Sequence, residues 1–200
     1  MAKIKHTKTE LKAQRDALAR FRRYLPTLEL KKQQLQLEMR RMQTALEQKE
    51  QELARLLDGL ASWRRLFAED PGLAGALRIG RLQTGEANIA GVPIPLLQDV
   101  TFERRPVDLF LTPPWVDDAL ALLEQVARLR LEADTIREGI RLLAEELRVT
   151  SQRVNLFEKV KIPEAAENIR VIRIFLGDMD TAAVARAKIA KTKLAEALAS

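Results

Sequence analysis

Residues 11–67 read LKAQRDALARFRRYLPTLELKKQQLQLEMRRMQTALEQKEQELARLLDGLASWRRLF, and their seven-residue rhythm decides the fold. Every seventh residue from Leu11 gives Leu18, Leu25, Lys32, Met39, Leu46, Leu53, Leu60 and Phe67; the interleaved set from Gln14 gives Phe21, Leu28, Leu35, Met42, Lys49, Leu56 and Trp63. Only Gln14, Lys32 and Lys49 interrupt the apolar seam. A strict heptad falls slightly short of two turns of a straight α-helix, so the seam keeps facing one partner only if the helices wind left-handed around each other. At the standard rise, a helix of that span is roughly 85 to 90 Å long. It cannot bury its stripe against itself and needs a second long helix.

The far end of the chain supplies one. Pro113 and Pro114 suit a helix start, and the residues after them carry Ala119, Leu122, Val126, Leu129, Ala133, Ile136, Ile140, Leu143, Leu147, Thr150, Val154 and Phe157 at alternating spacings of three and four. Near Ile162-Pro163 the phase slips by one residue, and a new stripe runs Ile162, Ala165, Ile169, Ile172, Leu176, Met179, Ala183. The slip predicts a seam rotating to a new side, with Pro163 behind a local irregularity. A second arm from about 115 to 198 reaches roughly 125 Å, so its end should project beyond its partner.

Between Gly59 and Pro114 lie six of the eight glycines and six of the eight prolines, which excludes a continuous helix there. Candidate strands are Leu77–Leu82, Glu86–Pro95 and Val100–Phe110, forming a small hairpin or a three-stranded patch. The expected fold is mainly α: a long antiparallel two-helix coiled coil in one elongated domain. Residues 1–67 form its N-terminal helix, 68–114 a small irregular or β-hairpin insert with short strands, and 115–200 its C-terminal helix. Thr7 or Thr9 is placed to cap the first helix, with Glu10 completing a capping box with Thr7. Pro26, inside the heptads, predicts a kink or a break and restart over residues 23–27.

Composition narrows the chemistry. Aromatics at 4% and charged residues at 31% suit a thin helical bundle. With no cysteine and only His6 for imidazole, thiolate or histidine metal sites have nothing to use, and a reducing, cytoplasmic setting is expected. No run of about eighteen apolar residues could span a bilayer, and the opening MAKIKHTKTELK lacks the apolar middle of a secretory signal. No Walker-type phosphate loop, HExxH or GxSxG occurs. Asp117-Asp118 and Glu145-Glu146 are helix neighbours that point about 100° apart, and they read as solvated faces, not acid/base pairs. The sequence predicts neither catalysis nor a cofactor.

The net charge of +6 is uneven: residues 1–23 hold eight Lys/Arg against two Asp/Glu, and residues 184–200 add Arg186, Lys188, Lys191 and Lys193 against Glu196. If the arms run antiparallel, both basic ends meet at one pole. Lys3, Lys5, Lys8, Arg22 and Arg23 have a nucleic-acid reading, but no aromatic ladder or recognition helix accompanies them. A solvated or partner-facing surface is preferred, and no nucleic acid is expected. Lys32 and Lys49 on the seam set register at some loss of stability, or mark where another subunit packs. The alanine-rich end, TAAVARAKIAKTKLAEALAS, suits insertion into a surrounding partner as well as it suits a frayed tail.

The run RVNLFEKVKIPEAAENIRVIRIFLGDMD, followed by ARAKIAKTKL, resembles the tail of the D subunit of the V-type and A-type rotary ATPases. The resemblance rests on Arg153, Val154, Asn155, Glu158, Val160, Ile162, Pro163, Ile169, Ile172 and Leu176, then Arg186, Lys188 and Lys191. NIAGVPIP, with Asn88, Gly91 and Pro95, is similar to that family's insert, and TKTELKAQRDALARF is similar to its start. Pro26 and Phe157 depart from the family's usual residues. The three segments in order cover almost the whole chain, and the RVN-to-IP run argues against the γ shaft of F-type synthases, which shares the architecture.

The resemblance implies a non-catalytic central rotor shaft. One end of it enters the ring of A and B subunits, and the other meets, together with the F subunit, the funnel-like subunit on the membrane ring. It also implies a peripheral place on the cytoplasmic face of the membrane, and transmission of torque that couples ATP turnover to proton or sodium transport. Lys8, Lys12, Arg15, Arg186, Lys188, Lys191 and Lys193 are then expected to contact the ring pore. The alternative is a stand-alone coiled-coil scaffold or a basic nucleic-acid-binding arm, which would bind with a steep salt dependence.

Overall fold

The computed structural model describes residues 4–59, 75–105 and 113–199. Helix α1 spans Lys8–Gly59, strands β1 and β2 span Leu77–Ile89 and Val92–Arg104, and helix α2 spans Val116–Leu156. A π-helical turn, Phe157–Lys161, leads into helix α3, Ile162–Ala199. Two long helical segments thus pack against α1, with a two-stranded antiparallel hairpin between the arms in sequence. The expected continuation of the first helix through Leu60, Trp63 and Phe67, and residues 106–110 of the third candidate strand, lie outside the described residues.

Helix α1 starts where the sequence offers a cap. The Glu10 backbone N–H donates to Thr7 Oγ1 at 3.2 Å, and the Leu11 N–H donates to the Thr7 carbonyl. Thr7, not Thr9, is therefore the cap. The Glu10 carboxylate accepts from Gln14 Nε2 at 2.8 Å instead of closing a capping box. Of the kink or break expected at Pro26, the break does not occur: α1 continues through it. From Leu11 to Leu56 every seam position is partly or fully buried, Gln14, Lys32 and Lys49 included. That is the burial a heptad stripe requires.

The chain divides into two compact units. In the first, Met1–Leu30 with Thr150–Ser200, the segments run antiparallel: the Phe21 and Phe157 rings meet at a tilt with centroids 5.1 Å apart, Gln14 accepts from Asn168 Nδ2 at 3.4 Å, and the His6 and Phe175 ring centroids are 4.8 Å apart. Thr150, Val154, Ala165, Ile169 and Ile172 are buried. The one-residue slip in the sequence falls on the π turn, where the Ile162 N–H bonds to the Phe157 carbonyl, five residues back. A π turn holds one residue more than an α turn. The turn absorbs the slip, so the stripe does not rotate to a new side; both halves face α1.

In the second unit, Lys31–Val149, α1 and α2 again run antiparallel, with Lys31 on Glu146 and Lys49 on Glu132. Leu35 and Leu143, both fully buried, meet Val92 and Ile94 of β2, with Met42, Ala87, Ile89 and Leu147 packed around them. Ala76, Val116 and Leu120 form a second cluster near the base of the hairpin. The strands are thirteen residues each, two long strands where the sequence suggested short ones. The candidate Glu86–Pro95 contains the turn itself: Ile89 pairs with Val92, and Ala90 and Gly91 both take positive φ, 51° and 82°. That is the mirror-image turn a two-residue hairpin loop prefers. Gly85, which falls between two of the candidate strands, lies within β1, where the Gln98 side chain covers its open face.

Gly139, in α2, lets the helices approach. A Cβ there would lie 2.5 Å from Met42 Cε and 3.9 Å from Ile94 Cβ. Alanine at this site gains about 1 kcal/mol of helix propensity, and the flexible Met42 tip can move aside. Leucine overfills the contact, which typically destabilises by about 1–3 kcal/mol. Urea denaturation should therefore find Gly139→Ala near neutral and Gly139→Leu destabilised by that amount.

Candidate functional site

Helix α3 carries the surface to which the sequence assigned partner contact. Its last buried seam residue is Ile172, and Leu176 is partly buried. From Gly177 on, every residue with described burial is exposed except the partly buried Ala182. His6, just before α1 begins, lies on Phe175, so the rest of α3 runs past the start of its partner, as its length predicted. Met179 is 48% exposed and Leu194 65% exposed, so the apolar stripe continues there with nothing on it among the described residues. Alanine keeps this segment helical without tertiary contacts, and the Thr181 and Thr192 hydroxyls donate back to the Gly177 and Lys188 carbonyls.

Lys8, Lys12 and Arg15 on α1, and Arg186, Lys188, Lys191 and Lys193 on α3, are all exposed, and none forms an ion pair with a described residue. They lie in one unit but not in one cluster. Gln14 and His6 place the α1 set beside residues 168–175 of α3. Arg186 to Lys193 begin eleven residues beyond Phe175, which is roughly 16 to 27 Å farther along the helix. The segment therefore offers staggered positive charge on a slim helix, suited to lining a channel or groove.

The residues that carried the resemblance separate into two kinds. Asn88 and Gly91 build the hairpin turn: Asn88 Oδ1 accepts the Gly91 N–H at 2.9 Å, and Pro95 pairs with Glu86 in the ladder. Ile162 is partly buried, and Ile169 and Ile172 are core. Arg153, Asn155, Glu158 and Pro163 are exposed around the π turn, as are Leu156 and Val160 at 44% and 46%.

The electrostatics hold the hairpin and the helices in register. Lys49 Nζ lies 2.8 Å from Glu132 and 3.5 Å from Glu52. The Glu132 hydrogen bond raises the lysine pKa against the opposing effect of partial burial. Lys49 is thereby paired across to α2 within this chain. Arg104 grips Glu124 with two hydrogen bonds of 2.6 and 3.0 Å, which lowers the carboxylate's pKa and ties β2 to α2. Sequence reasoning missed these pairs, because the heptad gives each helix's face but not which residues stand opposite each other.

Glu146 faces Lys31 at 2.7 Å while Glu145 turns toward Arg141, so the adjacent carboxylates diverge. Among the described residues no group of three or more His, Asp or Glu side chains could hold a metal, and no helix is long and apolar enough to cross a membrane.

The family model for the D subunit of ATP synthase matches residues 10–192. The V-type ATP synthase D subunit of Borreliella burgdorferi is 44% identical over 194 residues, covering 97% of this chain and 96% of the relative. Those of Chlamydia muridarum and Chlamydia pneumoniae are 35% and 31% identical, each covering 96% of this chain and 97% and 93% of the relative.

Proposed function

We propose that this chain, which belongs to the ATP synthase D-subunit family, turns as the rotor of the central stalk in a V/A-type ATPase or ATP synthase. The D subunit is a non-catalytic stalk component of that complex. ATP turns over in the surrounding A and B subunits, and the chain transmits torque between them and the ion-translocating membrane ring, moving protons or sodium ions. The F subunit and the funnel-like subunit of the membrane ring complete its partners. Its place is the cytoplasmic face of the membrane, held there through those partners.

The observation that carries this reading is the far part of α3: a helix that leaves its partner at Leu176 and continues with an apolar stripe and four cations that have no partner among the described residues. A tip of this kind has a different side chain in each direction, so each orientation stabilises one of several otherwise equal ring interfaces. Co-expression with the A, B and F subunits of the same genome tests it. The chain should elute with all three at a fixed stoichiometry through 0.5 M salt. A chain that elutes alone, or leaves its partners as salt rises while retaining nucleic acid, answers instead to the basic-arm reading.

A further inference from the structure

The π turn at Phe157–Lys161 does more than absorb one residue. In the observed state it directs Ile162, Ala165, Ile169, Ile172 and Leu176 toward α1. Tightened to an ordinary α turn with no residue lost, it would place position 161 where 162 now stands and turn the rest of α3 by about 100° about its own axis. The stripe then facing α1 would be Lys161, Glu164, Asn168, Val171, Phe175, Asp178 and Ala182, which has the same three-and-four spacing.

Three features show that this second stripe already sits at the edge of the interface. Lys161, Asn168 and Ala182 are partly buried, and Val171 and Phe175 are among the less exposed of the large exposed apolar residues, at 37% and 41%. A cavity of about 220 Å³ beside the seam is lined by Lys161, Glu164 and Asn168 together with Gln14, Ala17 and Phe21 of α1. Phe175 already touches His6. The outer face of the turn is exposed, and Pro163 has no N–H for the Lys159 carbonyl four residues back, so the competing α turn lacks that bond. Pro163 thereby favours the π form, and burial of Ile169 and Ile172 favours it further.

We propose that the π turn is a two-position rotary joint. The observed phase is the ground state, and the second stripe is a minor state that a torque on α3 can populate; that use of it rests on the stalk reading. Ile172, fully buried, reports the exchange, because rotation carries it out of the interface. The chain has no cysteine, so an Ile172→Cys variant of the full-length protein has one thiol, and its labelling rate by a water-soluble disulfide reagent is the readout. Deleting Val160, an exposed residue of the turn, makes a continuous α-helix with the observed stripe and should slow labelling at least tenfold. Pro163→Ala restores a donor for the Lys159 carbonyl, favours the α turn and should speed labelling at least tenfold, with the helical circular dichroism unchanged. If labelling responds to neither change, or to both in the same direction, the joint does not exist. That measurement needs no partner subunits, so its failure leaves the stalk assignment standing.

Discussion

Leu143→Asp is expected to destabilise the second unit by about 4 kcal/mol or more. Leu143 is fully buried against Leu35, Val92 and Ile94. Removing a buried leucine side chain alone typically destabilises by about 2–5 kcal/mol, and a carboxylate in its place must stay charged in an apolar cluster or take up a proton. A loss of that size is a large part of the whole stability of an ordinary domain, about 5–15 kcal/mol. Leu143→Met, which keeps the volume, should change stability by less than about 1.5 kcal/mol. Leu37, on α1 and 51% exposed, provides the contrast: Leu37→Asp should change stability by no more than about 1 kcal/mol, mostly through helix propensity. Urea titrations followed by circular dichroism measure all three. An aspartate at 143 that leaves the midpoint unmoved would mean that α1, the hairpin and α2 do not share this core.

The contrast between Leu143 and Leu37 also shows what a sequence discloses. Both are leucines on long helices, and the heptad alone separates them, because one falls on the seam and the other off it. The seam was legible because the period of an amphipathic helix is a property of local sequence. The π turn was half legible: the slip between Phe157 and Ile162 was plain, but a slipped stripe can mean a rotated interface or one extra residue in a turn, and only the Ile162 to Phe157 bond decides. The hairpin was divided wrongly at Gly85 because glycine marks a turn and a covered strand face equally well. Gly85 answers to Gln98, thirteen residues away, and no local pattern carries that. The Lys49–Glu132 pair was invisible for the same reason. The basic residues of the candidate surface were legible as charge, and the structure adds their exposure and stagger.

Removing residues 185–200 should leave both units folded and uncouple ATP turnover from ion movement. Residues 177–195 bury almost nothing among the described residues, so the truncation removes no core contact; Phe21 on Phe157, Gln14 on Asn168 and the buried Ile169 and Ile172 all lie on the retained side. Its thermal midpoint in isolation should stay close to that of the full chain. Coupling is different, because Arg186, Lys188, Lys191 and Lys193 and the end of the open stripe are lost together, and with them the side chains that distinguish one direction of the tip from another. If the tip biases the ring interfaces by a typical coupling free energy of about 1–3 kcal/mol, its loss lowers the coupled rate about 5- to 150-fold. Ions moved per ATP hydrolysed should fall with it in reconstituted vesicles. Reversing Lys188 and Lys191 to glutamate tests the charges alone, with a smaller loss expected and one that shrinks as salt screens exposed charges. A truncated chain that still assembles and pumps with an unchanged ratio would take the torque-bearing role away from this end of α3 and leave it with the part of the helix that packs on α1.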